Sequence, residues 1–219
     1  MNKNVAVVLA GCGYLDGSEI YETTLTLLRL DQLKIPFTCF APDIEQHDVI
    51  DHRTEQAMQG ETRNVLTESA RLARGNIEAL DALDPEQFDA IIVPGGFGAA
   101  KNLCDFAISG DSITVLPELV EKVRPFFEAK KPIGLMCIAP VMVPKMLSGS
   151  VPVTIGDDAS IAGAISSMGG LHRSCSVDNI VVDHEHRVVT TPAYLLAENL
   201  DEASKGIFKL VDKVAELMR

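Results

Sequence analysis

The sequence is short of basic residues. It contains 19 Lys and Arg against 31 Asp and Glu, which gives a formal net charge of −12. Proteins that bind nucleic acids through the phosphates need clustered positive charge, and anionic membrane surfaces repel so acidic a chain. The composition therefore argues against a nucleic-acid partner and against a membrane partner.

Long apolar runs are missing as well. The N-terminal run Val5–Ala10 is far shorter than the about 20 residues that a helix needs to span a bilayer. Lys3 and the AGCG stretch resemble a signal peptide only loosely because the apolar part is so short, and we interpret the run as a buried strand. We therefore expect a soluble, cytoplasmic protein.

The cysteines and histidines do not form a metal-binding pattern. No Cys-x-x-Cys pair and no His-Glu-x-x-His sequence occur, so we expect neither a structural zinc site nor a thioredoxin-like motif. Among the histidines only His172, at the start of a late strand, is of interest as a functional candidate. The five cysteines are Cys12, Cys39, Cys104, Cys137 and Cys175.

Short apolar runs alternate with stretches of helical period. The clearest runs are Val5–Leu9, Ala90–Gly96 and Pro132–Cys137. Continuous hydrophobic strands between helices are typical of a parallel sheet that is covered on both faces. The chain is therefore predicted to form one domain, 1–219, with a three-layer α/β architecture, a doubly wound and mainly parallel sheet, and these three strands side by side.

The alternation changes near the C-terminus. The apolar runs before and after Asp183–Arg187 leave no room for a helix between them, so we predict a late β-hairpin that turns at these residues. The stretch from Tyr194 to Met218 has apolar residues at helical spacing and predicts a closing amphipathic helix.

Ligands of parallel sheets bind beyond the carboxyl ends of the strands, and Cys137 lies at such an end. It follows a buried strand directly and precedes a helix-forming stretch, which is the layout of a nucleophile elbow. The N-terminus of a following helix would favour the thiolate. The alternative is that Cys137 merely packs at the end of its strand.

Two further segments reach the same edge. Gly95 and Gly96 follow a buried strand and offer backbone N–H groups that can hold an oxyanion, although a tight turn alone also explains them. Glu19 and Glu22 are three residues apart on one face of the first helix. They are either surface carboxylates that complement the helix dipole or, if desolvated, proton shuttles for Cys137.

These segments, in this order, resemble the DJ-1/PfpI superfamily, in particular its enhancing lycopene biosynthesis (ElbB) branch. The resemblance covers nearly the whole chain and implies a class I glutamine amidotransferase-like, flavodoxin-like fold. It is carried by GCGYLDGSEIYETTLTLL, ETRNVLTESARLARG, IIVPGGFGAAKNL, GLMCIAP and VVTTPAYLLAENL.

The resemblance implies roles for the acidic residues and the cysteine. Cys137 takes the position of the family's nucleophile. Glu22 takes the place of the glutamate that hydrogen-bonds the thiol, and Glu19 matches a second acidic position.

The resemblance also covers the amides that face the substrate oxygen. Gly95 and Gly96 match the family's glycine pair, and the backbone of Ile138 is expected to join them. Ile138 departs from related peptidases and amidotransferases, which use a His to activate the cysteine, and no late His-x-Glu pair is present. We therefore expect neither peptidase nor glutaminase activity.

The function implied by the resemblance is that of a cofactor-free glyoxalase, a glyoxalase III-type lyase. It would convert glyoxal, and methylglyoxal, to the 2-hydroxy acid through a hemithioacetal at Cys137, without metal, flavin or glutathione. Its partners would be the small dicarbonyl substrate and a second copy of the chain in a homodimer, and the branch's name suggests a link to isoprenoid biosynthesis.

Two other functions stay open on the same residues. One is a redox-sensing or protein-protective module that uses Cys137, and the other is an interaction protein with a vestigial site. The polar loop 47–61 is expected to shape or cover the pocket in either case.

Overall fold

The computed structural model describes residues 3–218, which contain a large central sheet. The strands are β1 (Val5–Val8), β2 (Phe37–Ala41), β3 (Ile50–Asp51), β4 (Gln56–Ala57), β5 (Ile77–Ala79), β6 (Ala90–Val93), β7 (Ile133–Met136), β8 (Pro152–Val153), β9 (Leu171–His172), β10 (Val181–Asp183) and β11 (Val188–Thr191). The α-helices are α1 (Ile20–Gln32), α2 (Val65–Leu72), α3 (Phe97–Lys101), α4 (Phe106–Ser109), α5 (Pro117–Glu128), α6 (Val143–Met146), α7 (Ala159–Ser167) and α8 (Leu200–Leu217). Short 3₁₀ helices are Leu80–Ala82, Pro85–Gln87, Gly110–Ser112, Ala139–Met142 and Ala193–Leu195.

The central sheet has seven strands in the order β10-β11-β7-β6-β1-β2-β5. Its neighbouring strands are parallel, except that β10 and β11 form an antiparallel hairpin. β1, β6 and β7 lie side by side, with Val5 opposite Ala90 and Ile91 opposite Ile133. The predicted mainly parallel α/β sheet, its three central strands and the late hairpin are confirmed.

Helices cover both faces of the sheet because successive strand residues point to opposite sides. Val5 and Val7 belong to one hydrophobic cluster, which α1, α2 and α8 complete. Ala6 and Val8 belong to a second cluster, to which α3, α5, α6 and α7 contribute. The sheet is therefore the middle of three layers.

The closing helix is shorter than its sequence pattern predicts. α8 begins at Leu200 rather than at Tyr194, and Asn199 caps it by accepting a hydrogen bond from the N–H of Glu202 at 3.0 Å. The preceding residues form the 3₁₀ turn Ala193–Leu195, in which Ala193 has a φ of +45°. The extended backbone of Asn199, with a φ of −154° and a ψ of 169°, separates these residues from the helix, so Tyr194 and Leu195 line the site instead of extending the helix face.

The loop 47–61 contains the small antiparallel pair of β3 and β4. It contacts the segment that follows β1: Nε2 of His52 accepts a hydrogen bond from the N–H of Leu15 at 3.3 Å, and the hydroxyl of Tyr14 donates to Glu55 at 3.4 Å. The loop therefore supports Tyr14, which lines the cavity described below. Within residues 3–218, no helix has the length and apolar character to cross a membrane.

Candidate active site

The site begins at the sharp turn after β7. Cys137 has a φ of +57°, a left-handed conformation that is costly for a residue with a side chain. Its N–H donates to the carbonyl of Thr191 at 3.0 Å, which continues the pairing of β7 with β11 by one residue. The chain then enters the 3₁₀ helix Ala139–Met142. The turn has the geometry of a nucleophile elbow, with Cys137 at its tip.

Gly95 lets the loop after β6 approach this turn. A Cβ atom at Gly95 would lie 2.4 Å from Cβ of Cys137 and 2.9 Å from Oε2 of Glu22. No side chain fits in that space, so the glycine is a requirement of the packing between the two loops. The tight-turn interpretation of Gly95 is therefore incomplete, because its backbone also meets a charged side chain.

Glu22 lies behind Cys137 in the first turn of α1 and is 0% exposed. Its Oε2 accepts a hydrogen bond from the N–H of Gly95 at 2.8 Å, and its Oε1 accepts one from the N–H of Tyr194 at 3.2 Å. It also shares a hydrogen bond with the thiol of Cys137. The interpretation of Glu22 as a surface carboxylate is wrong, because three segments from distant parts of the chain enclose it.

The N–H of Tyr194 is a part of the site that the sequence did not predict. The left-handed turn at Ala193, just after β11, directs this N–H at the carboxyl of Glu22. The only signal in the sequence is Pro192, which ends a buried strand at the ligand-binding edge of the sheet. That signal marks a turn but does not tell which carboxylate its amides will meet.

The two central side chains strongly influence each other's ionisation. Burial, and then the charge of Glu19, raises the pKa of Glu22 to about 7, against the hydrogen bonds from Gly95 and Tyr194. Burial and the carboxylate of Glu22 raise the pKa of the Cys137 thiol well above its usual value. A proton is therefore retained within the pair near neutral pH, where it can move between sulfur and oxygen.

Two backbone amides counteract the rise in the pKa of the Cys137 thiol. The N–H groups of Gly96 and Ile138 donate towards the sulfur of Cys137 and lower the pKa of its thiol, although burial outweighs them. Gly96 has a φ of +90°, and a Cβ there would lie 2.4 Å from the backbone N of Glu19. Its glycine identity is what lets this amide come so close to the first helix and the cysteine.

Glu19 caps the start of α1 and does not bond to the Cys137 thiol. Its Oε2 accepts a hydrogen bond from the N–H of Glu22 at 2.6 Å, which is an N-cap interaction, and its own N–H donates to Gly95 at 3.0 Å. It is 8% exposed, and burial raises the pKa of its carboxyl. The structure thus brings Glu19 and Glu22 to the site together, but only Glu22 reaches Cys137.

A cavity of about 340 Å³ opens in front of the cysteine. Of the predicted site residues, the cavity is lined by Cys137, Gly96, Ile138 and Glu19. Glu22 lies behind the thiol. The remaining lining comes from residues that the sequence analysis did not single out. These are Tyr14, Phe97, Ala100, Phe106, Ala107, Ile161, Tyr194 and Leu195.

The other candidates lie outside this cavity. Nε2 of His172, on β9, accepts a hydrogen bond from the N–H of Ile155 at 3.5 Å, and burial lowers the pKa of its imidazole. Cys12 is partly exposed in the loop after β1. Across residues 3–218, no group of three or more His, Cys, Asp and Glu side chains is arranged to hold a metal ion.

Comparison with known proteins adds two similar mammalian sequences. No protein-family model matches the chain. The human protein named glutamine amidotransferase-like class 1 domain-containing protein 3, mitochondrial, is 46% identical over 222 residues, which cover 97% of this chain and 82% of the human one. The rat protein named ES1 protein homolog, mitochondrial, is 44% identical, with 97% and 83% of the two chains covered.

Two solved structures are similar in fold. An isoprenoid biosynthesis protein with an amidotransferase-like domain from Ehrlichia chaffeensis superposes with a TM-score of 0.92 at 40% identity, over 99% of this chain and 100% of that one. DJ-1beta from Drosophila melanogaster superposes with a TM-score of 0.56 at 17% identity, over 99% and 96% of the chains. The second match shows a shared fold only.

The expected cytoplasmic location is contradicted by these relatives. The human and rat proteins are both named as mitochondrial, as is the 34% identical ES1 protein of Danio rerio. The physical reason for the error is that cell compartment is set by address segments that a transport receptor recognises. The acidity of a chain and the length of its apolar runs describe how its folded surface interacts with water. They carry no information about the cell compartment.

Proposed function

The chain belongs to the family of the ES1 and glutamine amidotransferase-like class 1 domain proteins, within the DJ-1/PfpI superfamily, and we propose that it is a cofactor-independent glyoxalase that converts glyoxal to glycolate. The superfamily predicted from the sequence is thereby confirmed. One observation supports the reaction most directly: the thiol of Cys137 lines a cavity and shares a hydrogen bond with the fully buried carboxyl of Glu22.

In the first step the sulfur of Cys137 adds to one aldehyde carbon of glyoxal. Near neutral pH a single proton of the pair lies on the sulfur, because the pKa of the Cys137 thiol is raised well above its usual value whereas that of Glu22 is about 7, and the carboxylate of Glu22 takes this proton as the sulfur attacks. The carbonyl oxygen takes the negative charge, and the N–H groups of Gly96 and Ile138, which face the sulfur in the free protein, hold it. Proton transfer from Glu22 to this oxygen completes a neutral hemithioacetal and leaves Glu22 as a carboxylate.

The role that we assign to Gly95 differs from the one that the family's glycine pair implies, which is to face the substrate oxygen. Its N–H donates to Glu22 at 2.8 Å and is thus committed to the carboxylate. We assign it to holding Glu22 in place together with the N–H of Tyr194. Both amides also stabilise the carboxylate form, which is the form that must act as a base in the next step.

In the second step the carboxylate of Glu22 removes the proton from the carbon that carries the sulfur. The electrons of that C–H bond form an enediolate, the hydroxyl proton on the sulfur-bearing carbon moves to the neighbouring oxygen, and Glu22 returns the carbon-bound proton to the neighbouring carbon. The product is a thioester of glycolate with Cys137, an isomer of the hemithioacetal. A carboxyl whose pKa is about 7 suits both directions of this transfer at neutral pH.

Water then attacks the thioester, which releases glycolate and restores the Cys137 thiol. The sum of the steps is glyoxal plus water to glycolate, with no net oxidation. One oxidised carbon and one reduced carbon arise from two equivalent aldehyde carbons, so the reaction needs no external electron acceptor.

Nuclear magnetic resonance of the product tests this mechanism. In D2O, protium that Glu22 passes from carbon to carbon remains in the hydroxymethyl group of glycolate, because the carboxyl is shielded from solvent. We expect Cys137-dependent formation of glycolate with two protium atoms at this carbon, one of its own and one that Glu22 has passed on. Glycolate formed at equal rates by wild type and Cys137→Ala would refute the function, and one deuterium atom at this carbon in every product molecule would refute the closed shuttle.

A redox function is the second candidate, and the hydrogen bond between Glu22 and the Cys137 thiol favours it as well. A neutral Glu22 next to Cys137 can donate to an oxygen of a cysteine sulfinate. Hydrogen peroxide would be the oxidant: two molecules each transfer one oxygen to the sulfur and leave as water. Mass spectrometry after peroxide treatment tests it, and selective sulfinate formation in wild type but not in Glu22→Gln, without glyoxal turnover, would favour this function.

Three further properties of the chain are proposed from its resemblance to the DJ-1/PfpI superfamily. We propose that the chain folds as a single domain, that it pairs into a homodimer, and that it serves isoprenoid biosynthesis, as the name of the Ehrlichia chaffeensis protein states for that protein. Sedimentation equilibrium tests the dimer, and a single cooperative unfolding transition tests the single domain.

A further inference from the structure

We propose that the cavity selects neutral α-oxoaldehydes that carry an apolar substituent in preference to glyoxal. The inference rests on the proposed function, since it names the substrate class of the same site. It starts from size: the cavity measures about 340 Å³, within the range of about 300–1,000 Å³ that small-molecule sites occupy. Glyoxal consists of two carbons and two oxygens and leaves most of that space empty.

The lining of the cavity is largely apolar. Phe106 of α4, Ile161 of α7 and Leu195 of the turn after β11 all contribute to it. These three residues also pack against the hydrophobic core, so the core holds this part of the wall in position. A substituent of several methylene groups can displace water from such a surface, and each buried methylene is worth about fourfold in binding.

The charges around the cavity exclude anionic substrates. Among residues 3–218, none of those that line it is Lys, Arg or His, and the one carboxyl side chain in the lining is Glu19. The nearby ammonium of Lys101 is paired with Asp48 at 2.7 Å. With a net charge of −12 on the whole chain, a substrate that carries a phosphate or carboxylate meets repulsion without a compensating partner.

A series of straight-chain alkylglyoxals tests the proposal. We expect kcat/KM to rise about fourfold per added methylene until the chain fills the cavity, and to fall back when the end of the longest chain carries a carboxylate. Ala107→Phe, at an exposed position of α4 that also lines the cavity, should lower the ratio of hexylglyoxal to glyoxal turnover. The matched control is Ile108→Phe, at the next residue of α4, which is 59% exposed and does not line the cavity.

The outcomes separate this inference from the reaction itself. Glyoxal turnover that depends on Cys137 but does not change with chain length leaves the proposed function intact and overturns the inference. Calorimetric binding of hexanamide and acetamide to Cys137→Ala reports the cavity without chemistry. Tighter binding of hexanamide supports the inference even if no glyoxal is turned over, and equal affinity overturns it.

Discussion

Two cysteines reach the ligand-binding edge of the sheet, and their surroundings differ. Cys137 follows β7, is 6% exposed and faces Glu22 and the amides of Gly96 and Ile138. Cys12 follows β1 and is more exposed, and burial and the carboxylates of Glu68 and Asp16 raise the pKa of its thiol. Exposure alone would therefore favour Cys12 as the reactive cysteine, whereas the neighbouring carboxyl and amides favour Cys137.

The difference lies in what can accept or return a proton. Glu22 is hydrogen-bonded to the Cys137 thiol and titrates at about pH 7, so proton transfer needs no movement of the chain. Burial and the carboxylate of Glu68 raise the pKa of the Cys12 thiol, and the guanidinium of Arg71 opposes them. A solvent-accessible thiol at the correct edge is thus insufficient without a partner that shares its proton.

Removal of each cysteine tests this comparison most severely. We expect Cys137→Ala to reduce glyoxal turnover to the rate of the uncatalysed reaction, because no covalent intermediate can form. Cys12→Ala should keep more than half of the wild-type rate. Steady-state assays of glycolate formation measure both, and a larger loss in Cys12→Ala than in Cys137→Ala would reverse the comparison.

The next largest effect should come from Glu22. Glu22→Gln preserves the shape and one hydrogen-bond acceptor but removes the base, so kcat should fall by about 10²-fold or more. Glu19→Gln is the matched control because Glu19 caps α1 without reaching the thiol, and it should cost much less. Equal activity of Glu22→Gln and wild type would refute the proton shuttle.

The buried carboxyl also predicts a pH dependence of stability. The pKa of Glu22 is about 7 in the folded protein against its usual 4.5, so the folded state favours the neutral form. Its contribution is therefore complete below the unfolded pKa and is lost as the pH rises through the folded one. The free energy of unfolding of wild type minus that of Glu22→Gln should fall by about 3 kcal/mol between about pH 4 and about pH 8.

Urea unfolding of the two proteins across this range measures the difference. The subtraction removes the contributions of other carboxyls, such as Asp16 and Glu19, whose pKa values burial also raises. A difference that is independent of pH would show that Glu22 is not buried in its neutral form.

The smallest effect that we expect is a labelling preference. Under limiting iodoacetamide, Cys137 should be alkylated a few-fold faster than Cys12, because Glu22 accepts the thiol proton as the bond to sulfur forms, although burial raises the pKa of this thiol. Peptide mass spectrometry gives the ratio, and Glu22→Gln should lower it. Faster labelling of Cys12 would show that exposure outweighs the proton partner.

Much of the fold was predictable because strand burial leaves a local pattern. Val5–Val8, Ala90–Val93 and Ile133–Met136 are continuous apolar runs, and all four residues of each strand are buried. The error at the closing helix has a local cause too: Asn199, inside the predicted stretch, has an extended backbone and caps α8. The apolar spacing continues across this residue, so the sequence pattern predicted a helix start before the true cap.

By itself, the sequence determined the sheet, the hairpin and the turn at Cys137, because each follows from short-range patterns of burial and turns. The family followed from the resemblance of its motifs. Only the tertiary structure decided that Glu22 is enclosed, that the N–H of Tyr194 holds it, and that α4 and α7 form part of an apolar cavity of about 340 Å³. A carboxylate in the first turn of a helix has the same local sequence whether water or protein surrounds it. Its ionisation depends on desolvation by segments up to 172 residues away along the chain, and that distance is closed only by folding.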